Sequence, residues 1–209
     1  MNLMKYDLII LDCDGVIFNS NLLKIEAFKV SLEDFDNKAV LSFIEYLKKN
    51  FGSSRSKLIR VFIEDFLKIS FDKILFQVIF EKYSKCCVKL YRSAEFTKDL
   101  IKFLGFYGSK KLYIASGSDQ KELIEVFESR GLSKYFIEIH GSPELKTDIV
   151  FNITSANDLM AVLIGDAEAD KLAAENSNID FIFMKDYSTN NDMIKDKNLV
   201  SIKNLGELL

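Results

Sequence analysis

Apolar and polar positions change their period along this chain. Leu8-Ile9-Ile10-Leu11 is an unbroken apolar run that stops at Asp12, and a short apolar run closed by polar residues predicts a buried β-strand. From about Ser20 to Arg92 the apolar residues recur three and four apart instead. The sets are Leu22, Ile25, Ala27, Phe28; then Leu41, Ile44, Leu47; then Leu58, Val61, Phe62, Phe66; then Ile74, Val78, Ile79. That period predicts a stretch of about four helices, with a clear interruption at Asn50-Phe51-Gly52-Ser53-Ser54.

Beyond residue 92 the pattern alternates. A helix is expected over 94–106, a strand at Lys111-Leu112-Tyr113-Ile114-Ala115, and a helix over 120–130 closed by Gly131 as a C-terminal cap. Strands over 135–139, 159–164, 179–184 and 199–202 follow, with helices over 147–155 and 169–176 between them. Strands alternating with helices imply an α/β fold, a Rossmann-like, doubly wound, mostly parallel sheet covered on both faces, here with an inserted all-helical segment. The expected division is an α/β core of residues 1–17 and 93–209 and a helical cap of residues 18–92.

Composition narrows the classes. The chain has 209 residues, 48% of them hydrophobic, and a formal net charge of −3, enough for one sizeable core and a small lid. Lysines and arginines are scattered rather than striped, which argues against a dedicated nucleic-acid surface. Cys13, Cys86 and Cys87 have no metal-ligand spacing, and reduced thiols in a cytoplasmic protein are expected. No signal-peptide pattern is present, and no apolar run approaches the roughly 20 residues that span a bilayer.

Four strand ends carry the chemistry. The first ends in Asp12-Cys13-Asp14-Gly15, the second in Ser116-Gly117-Ser118 and the fourth in Gly165-Asp166-Ala167-Glu168-Ala169-Asp170. Lys146 follows the third within Gly141-Ser142-Pro143-Glu144-Leu145-Lys146. In a parallel sheet these ends share one edge, where open α/β sheets bind ligands. Asp12 and Asp14 fall on the same side of the backbone, and paired carboxylates repel unless a cation joins them.

These four segments, in this order, resemble the haloacid dehalogenase superfamily of phosphohydrolases and phosphotransferases. The helical segment between the first two resembles the C1 cap of its phosphoglycolate phosphatase and β-phosphoglucomutase branch. The resemblance implies a Mg²⁺-dependent enzyme acting on a small phosphorylated metabolite. Asp12 would be the nucleophile, forming an aspartyl-phosphate, and Asp14 the acid and then the base. Asp12, the Asp14 carbonyl and Asp166 would hold Mg²⁺. Ser116 and the Gly117 amide would donate to phosphate oxygens, and Lys146 would offset their charge. Asp170 would orient a metal-bound water or hold Lys146, and Gly15 would allow the turn toward the cap.

In the cap, Arg55 is expected to fork onto a carboxylate, a phosphate or sugar hydroxyls of the substrate, with Ser54 as helix N-cap beside it. The segment Asp12–Phe28, with Asn19-Ser20-Asn21 and Lys24, is similar to small phosphatase-like proteins linked to bacterial surface-polysaccharide and sialic-acid-like sugar biosynthesis. That likeness points toward a sugar or sugar-acid phosphate. Asn19 stands where many such relatives have Asp. A phosphomutase and a non-catalytic phospho-metabolite-binding protein are the alternatives. His140 is expected to be a packed or edge histidine and Cys13 to serve core packing, neither of them chemistry.

Overall fold

The computed structural model describes residues 3–156 and 159–209. Strand β1 (Leu8–Leu11) is wholly buried, as its unbroken apolar run requires. It is followed by the helical segment: α1 (Asn21–Ser31), α2 (Asn37–Lys49), α3 (Arg55–Val61) and α4 (Lys73–Ser93). Asp36, Ser54 and Asp72 accept backbone N–H groups at the starts of α2, α3 and α4, satisfying donors that a helix leaves orphaned at its first turn. The segment closes on an aromatic cluster in which Phe28 stacks on Tyr83 with ring centroids 3.9 Å apart, while Phe43 meets Phe62 edge-on at 5.1 Å. The third helical set runs from α3 into a π-helical turn, Phe62–Phe66.

The chain then passes through α5 (Leu100–Phe106), β2 (Lys111–Asp119), α6 (Gln120–Ser129), β3 (Glu138–Ser142) and α7 (Lys146–Ser155). It ends with β4 (Ala161–Gly165), α8 (Glu168–Asn176), β5 (Asp180–Met184), α9 (Asn191–Lys195) and β6 (Ser201–Ile202). The strands form one parallel sheet in the order β3-β2-β1-β4-β5-β6, so the chain changes direction of winding at β1. Side chains alternate across it: Leu8 and Ile10 pack with α7 and α8, whereas Ile9 and Leu11 join the larger core shared with α5, α6 and the helical segment.

Two elements differ from the sequence pattern. The helix expected over 94–106 is confined to α5, because residues 94–99 form a connection hydrogen-bonded to the chain leaving the sheet. Asn19 N–H donates to the Glu95 carbonyl at 2.9 Å and Thr97 N–H to the Ile17 carbonyl at 3.0 Å, and Asp99 takes φ +64°. The third strand lies three residues later than its apolar run. Ser133–Tyr135 make a 3₁₀ turn and Phe136 packs on Phe127, so Glu138, not Tyr135, pairs with Tyr113.

Candidate active site

Sheet register assembles the site. Leu11 lies beside Ile114 of β2 and Ile164 of β4, so Asp12, Ser116 and Asp166, which follow within two residues of each, come together at one edge of the sheet. Asp12 is 3% exposed, Ser116 1% and Asp166 2%. Lys146, on the first turn of α7, reaches this edge with its Nζ 2.8 Å from Asp12 Oδ1 and 2.5 Å from Asp170 Oδ1. Asp170 also accepts the Ala167 N–H at 3.0 Å, which ties it to the first turn of α8.

Gly15 takes φ +79°, and a Cβ there would collide with the Asp166 carboxylate; the turn and the close approach both require glycine. Asp166 accepts a hydrogen bond from Asn21 Nδ2 at 2.6 Å, and the same nitrogen donates to the Tyr187 carbonyl at 2.8 Å. The other amide atom, Asn21 Oδ1, is buried with no partner, and Asp12 Oδ1 has no aligned hydrogen bond.

Charge at this edge is unbalanced. Among the described residues, Asp12, Asp166 and Asp170 bring ligand atoms within 4.8 Å of one another, and Lys146 is the cation in contact with Asp12 and Asp170. Burial, with the Asp170 charge next and Lys146 opposing, pushes the Asp12 carboxyl up to about 7. Burial and the charges of Asp12 and Asp170 push Asp166 well above the carboxylate range. Lys146 shifts upward, because its two carboxylate neighbours outweigh its burial. Fully ionised, three carboxylates against one ammonium would leave two negative charges, the complement of a divalent cation, and an all-oxygen donor set suits a hard cation such as Mg²⁺.

Asp14 has a different environment. It accepts from Ser20 Oγ at 2.5 Å, from Tyr91 Oη at 2.8 and 3.0 Å, from Ser118 Oγ at 3.0 Å, and from the Lys24 ammonium. Burial alone would raise its pKa, but the Lys24 charge and these hydrogen bonds hold it below the usual carboxylate range. None of these partners belongs to the Asp12–Asp166–Asp170 cluster.

Asp12, Asp14, Lys24, Arg55, Ser116 and Asp166 line one small cavity of about 30 Å³. The loop around Gly52 closes it on one side: a Cβ on Gly117 would fall well inside contact distance of the Gly52 carbonyl. Beyond that loop a groove of about 280 Å³ runs past Ser54, Gly117 and Lys146.

Ser54 caps α3, accepting the Lys57 N–H at 3.4 Å. Arg55 is buried and lines the cavity, but its fork is closed on Glu122 of α6, with bonds of 2.7 and 2.6 Å, and it donates to Ser84. Only its Nε lacks a partner. In this state the fork ties helix α3 to α6; it is not turned to an open anion site. His140 is partly exposed at the side of β3, paired with Glu138, and Cys13 is buried in the core with its thiol pushed up by burial.

The sequence pattern did not single out Lys24, Tyr91, Ser118, Ser20, Asn21 or Glu122 as functional. One signal was available: Ser20 and Lys24 are four apart, as a helix turn requires to bring them together, and Lys24 shares the α1 face of Ile25 and Phe28.

A winding reversal at β1, carboxylates following two of the strands and a helical segment beside them define an α/β protein with a candidate site at one sheet edge. The sequence matches the haloacid dehalogenase-like hydrolase family over residues 9–184, and the chain belongs to that family. It is similar in structure to a predicted phosphoglycolate phosphatase from Haemophilus somnus, with a TM-score of 0.76 at 12% identity, covering 99% of this chain and 97% of that one. A predicted phosphatase from Clostridium acetobutylicum matches with a TM-score of 0.72 at 19% identity, covering 94% and 93%. A haloacid dehalogenase-like family hydrolase from Streptococcus pneumoniae matches with a TM-score of 0.69 at 18% identity, covering 96% and 94%. No curated protein matches the sequence. Among the described residues, no helix is long and apolar enough to cross a membrane.

Proposed function

We propose that this chain is a Mg²⁺-dependent phosphatase that hydrolyses a small phosphorylated metabolite, a sugar or sugar-acid phosphate, through an aspartyl-phosphate on Asp12. The observation that carries this reading is Asp12 itself, buried at the end of β1 against Lys146 and the Asp166–Asp170 pair. A phosphoryl group chiefly needs positioning, neutralisation and an in-line nucleophile, and this edge supplies all three.

In this reading residues 18–92 form a cap over a core of residues 1–17 and 93–209. Ser116 Oγ and the Gly117 amide donate to the phosphoryl oxygens, Lys146 neutralises them, and Asp12 attacks phosphorus as the leaving oxygen departs. Asp14 protonates the leaving oxygen, then takes the proton of the water that hydrolyses the aspartyl-phosphate. Asp12, Asp166 and the Asp14 carbonyl would hold Mg²⁺, which when bound supplies the charge that lets Asp12 stay ionised beside a phosphate dianion. Asp170 holds Lys146, and Gly15 brings the chain close past Asp166. The unpaired cysteines accord with a cytoplasmic enzyme.

The test is phosphate release from a panel of sugar, sugar-acid and glycolate phosphates, with Mg²⁺ and with chelator, using Asp12→Asn as blank. Release from one class, abolished by chelator, supports the reading. No release from folded, metal-loaded protein rejects it.

A further inference from the structure

Lys24 belongs to the first helix of the inserted segment, yet its ammonium ends at a residue of the β1 loop. It donates to Asp14 Oδ2 and to Ser118 Oγ, the latter at 2.5 Å, and its side chain is 9% exposed. Tyr91, near the end of α4, approaches from the other end of the same segment. Its hydroxyl donates to both Asp14 oxygens, and its ring centroid lies 5.3 Å from the Lys24 ammonium. The Ser118 hydroxyl bonds Asp14 at 3.0 Å and meets the Tyr91 hydroxyl at 3.0 Å.

A lysine this deep costs several kcal/mol unless it is paired, and no packing requirement calls for one: Ile25, Ala27 and Phe28 fill the apolar face beside it. Its cost is met at Asp14 and Ser118, both outside the helical segment, and so only while that segment lies against the sheet. Lys24 also lines the cavity that holds Asp12 and Ser116.

We propose that Lys24 is a positioning residue for Asp14, carried on the helical segment so that the carboxylate is aimed into the cavity only when that segment is closed. The inference rests on the phosphatase reading and concerns its second half. There a water oxygen bonds to phosphorus, Asp14 takes the water proton, and the Asp12–phosphorus bond breaks to return the Asp12 carboxylate and release inorganic phosphate. A well-placed general base contributes about 10²–10⁴-fold. The first half, with a leaving group as good as p-nitrophenolate, needs no proton and so does not depend on Asp14.

The experiment is stopped-flow turnover of p-nitrophenyl phosphate by wild type, Lys24→Met and Lys24→Arg, with acid quench and intact-mass detection of phosphoenzyme. Hydrogen exchange is followed in parallel at the two connections, residues 16–21 and 93–97. For Lys24→Met we expect a nitrophenol burst stoichiometric with enzyme, a kcat at least tenfold lower, an unchanged burst rate and accumulated phosphoenzyme. Lys24→Arg should recover part of kcat. Exchange at both connections should rise in Lys24→Met and return toward wild type in Lys24→Arg.

Equal slowing of burst and steady state, or a change in KM alone, would overturn the proposal and make Lys24 a structural or substrate-binding residue. If wild type neither turns over nor becomes phosphorylated, the phosphatase reading fails instead. The exchange data then decide the Lys24 tie alone: unchanged protection in Lys24→Met refutes it.

Discussion

At Asp12, burial and neighbouring charge both oppose ionisation, and Lys146 only partly relieves them. Two outcomes follow at this one residue. Asp12→Asn removes the proposed nucleophile but keeps its shape, so turnover should fall by about 10³-fold or more while far-UV circular dichroism stays as in wild type. The second concerns metal-free protein. The Asp12 carboxyl rises from an ordinary 3.8 to about 7 on folding, so the folded state holds a proton that the unfolded state releases first. Its contribution favours folding below pH 4 and is lost as pH climbs toward 7. The melting temperature of wild type relative to Asp12→Asn should therefore decline across that window when chelator is present. A flat difference would show that Asp12 is not held as described. Asp14 has the opposite sign, since its partners keep it ionised, and using Asp12→Asn as reference cancels its contribution.

Between elements, a bidentate pair ties α3 to α6. Arg55 and Glu122 have side chains 4% and 13% exposed, and the Arg55 guanidinium lies 5.2 and 5.0 Å from the rings of Phe80 and Tyr83. Removing one member of a buried pair strands the other, at a cost of about 3–5 kcal/mol. Arg55→Ala and Glu122→Gln should each lower the urea midpoint with m unchanged, and the double variant should lose far less than the two losses combined. Additive losses would mean that the pair is not coupled. If Arg55 also meets the leaving group, as its unpartnered Nε allows, Arg55→Ala will harm a sugar-acid phosphate more than p-nitrophenyl phosphate, whereas Glu122→Gln will not discriminate. The loop at Gly52 gives a second element-scale outcome. Gly117→Ala must push the Gly52 carbonyl away, so KM for phosphate esters should rise through a loosened loop while the melting temperature changes little.

Across the whole molecule, a cation bound at the carboxylate cluster would couple metal to stability. A cation that binds only the folded chain stabilises it by about 2.7 kcal/mol at one hundred times its Kd. Mg²⁺ should thus raise the melting temperature at pH 7, and Asp166→Asn should abolish the rise by removing a ligand. Undiminished stabilisation of that variant by Mg²⁺ would place the ion elsewhere. The same molecule-wide view explains the small cavity. With the segment from α1 to α4 laid against the sheet, a cavity of about 30 Å³ remains beside Asp12; under the proposed phosphatase reading, a sugar phosphate would need that segment to move.

The alternation of strands and helices, the helical insertion and the Asp12, Ser116, Lys146 and Asp166 segments were legible in the sequence. Each is local: an apolar run, a helical period or a strand end followed by a polar residue, and a parallel sheet brings such ends to one edge. Boundaries at 94–99 and 135–138 were not legible, because backbone pairing with Ile17, Asn19 and β2 overrode the side-chain pattern there. Nor were the partners of Asp14 and Arg55. Lys24 and Tyr91 stand 10 and 77 residues from Asp14, and Glu122 stands 67 from Arg55. A buried ion pair is a property of which elements pack face to face, so its members carry no mark in sequence beyond a charged residue on an apolar face. The chemistry available at the edge was set by the sequence; which charges remain free to perform it was decided by tertiary packing.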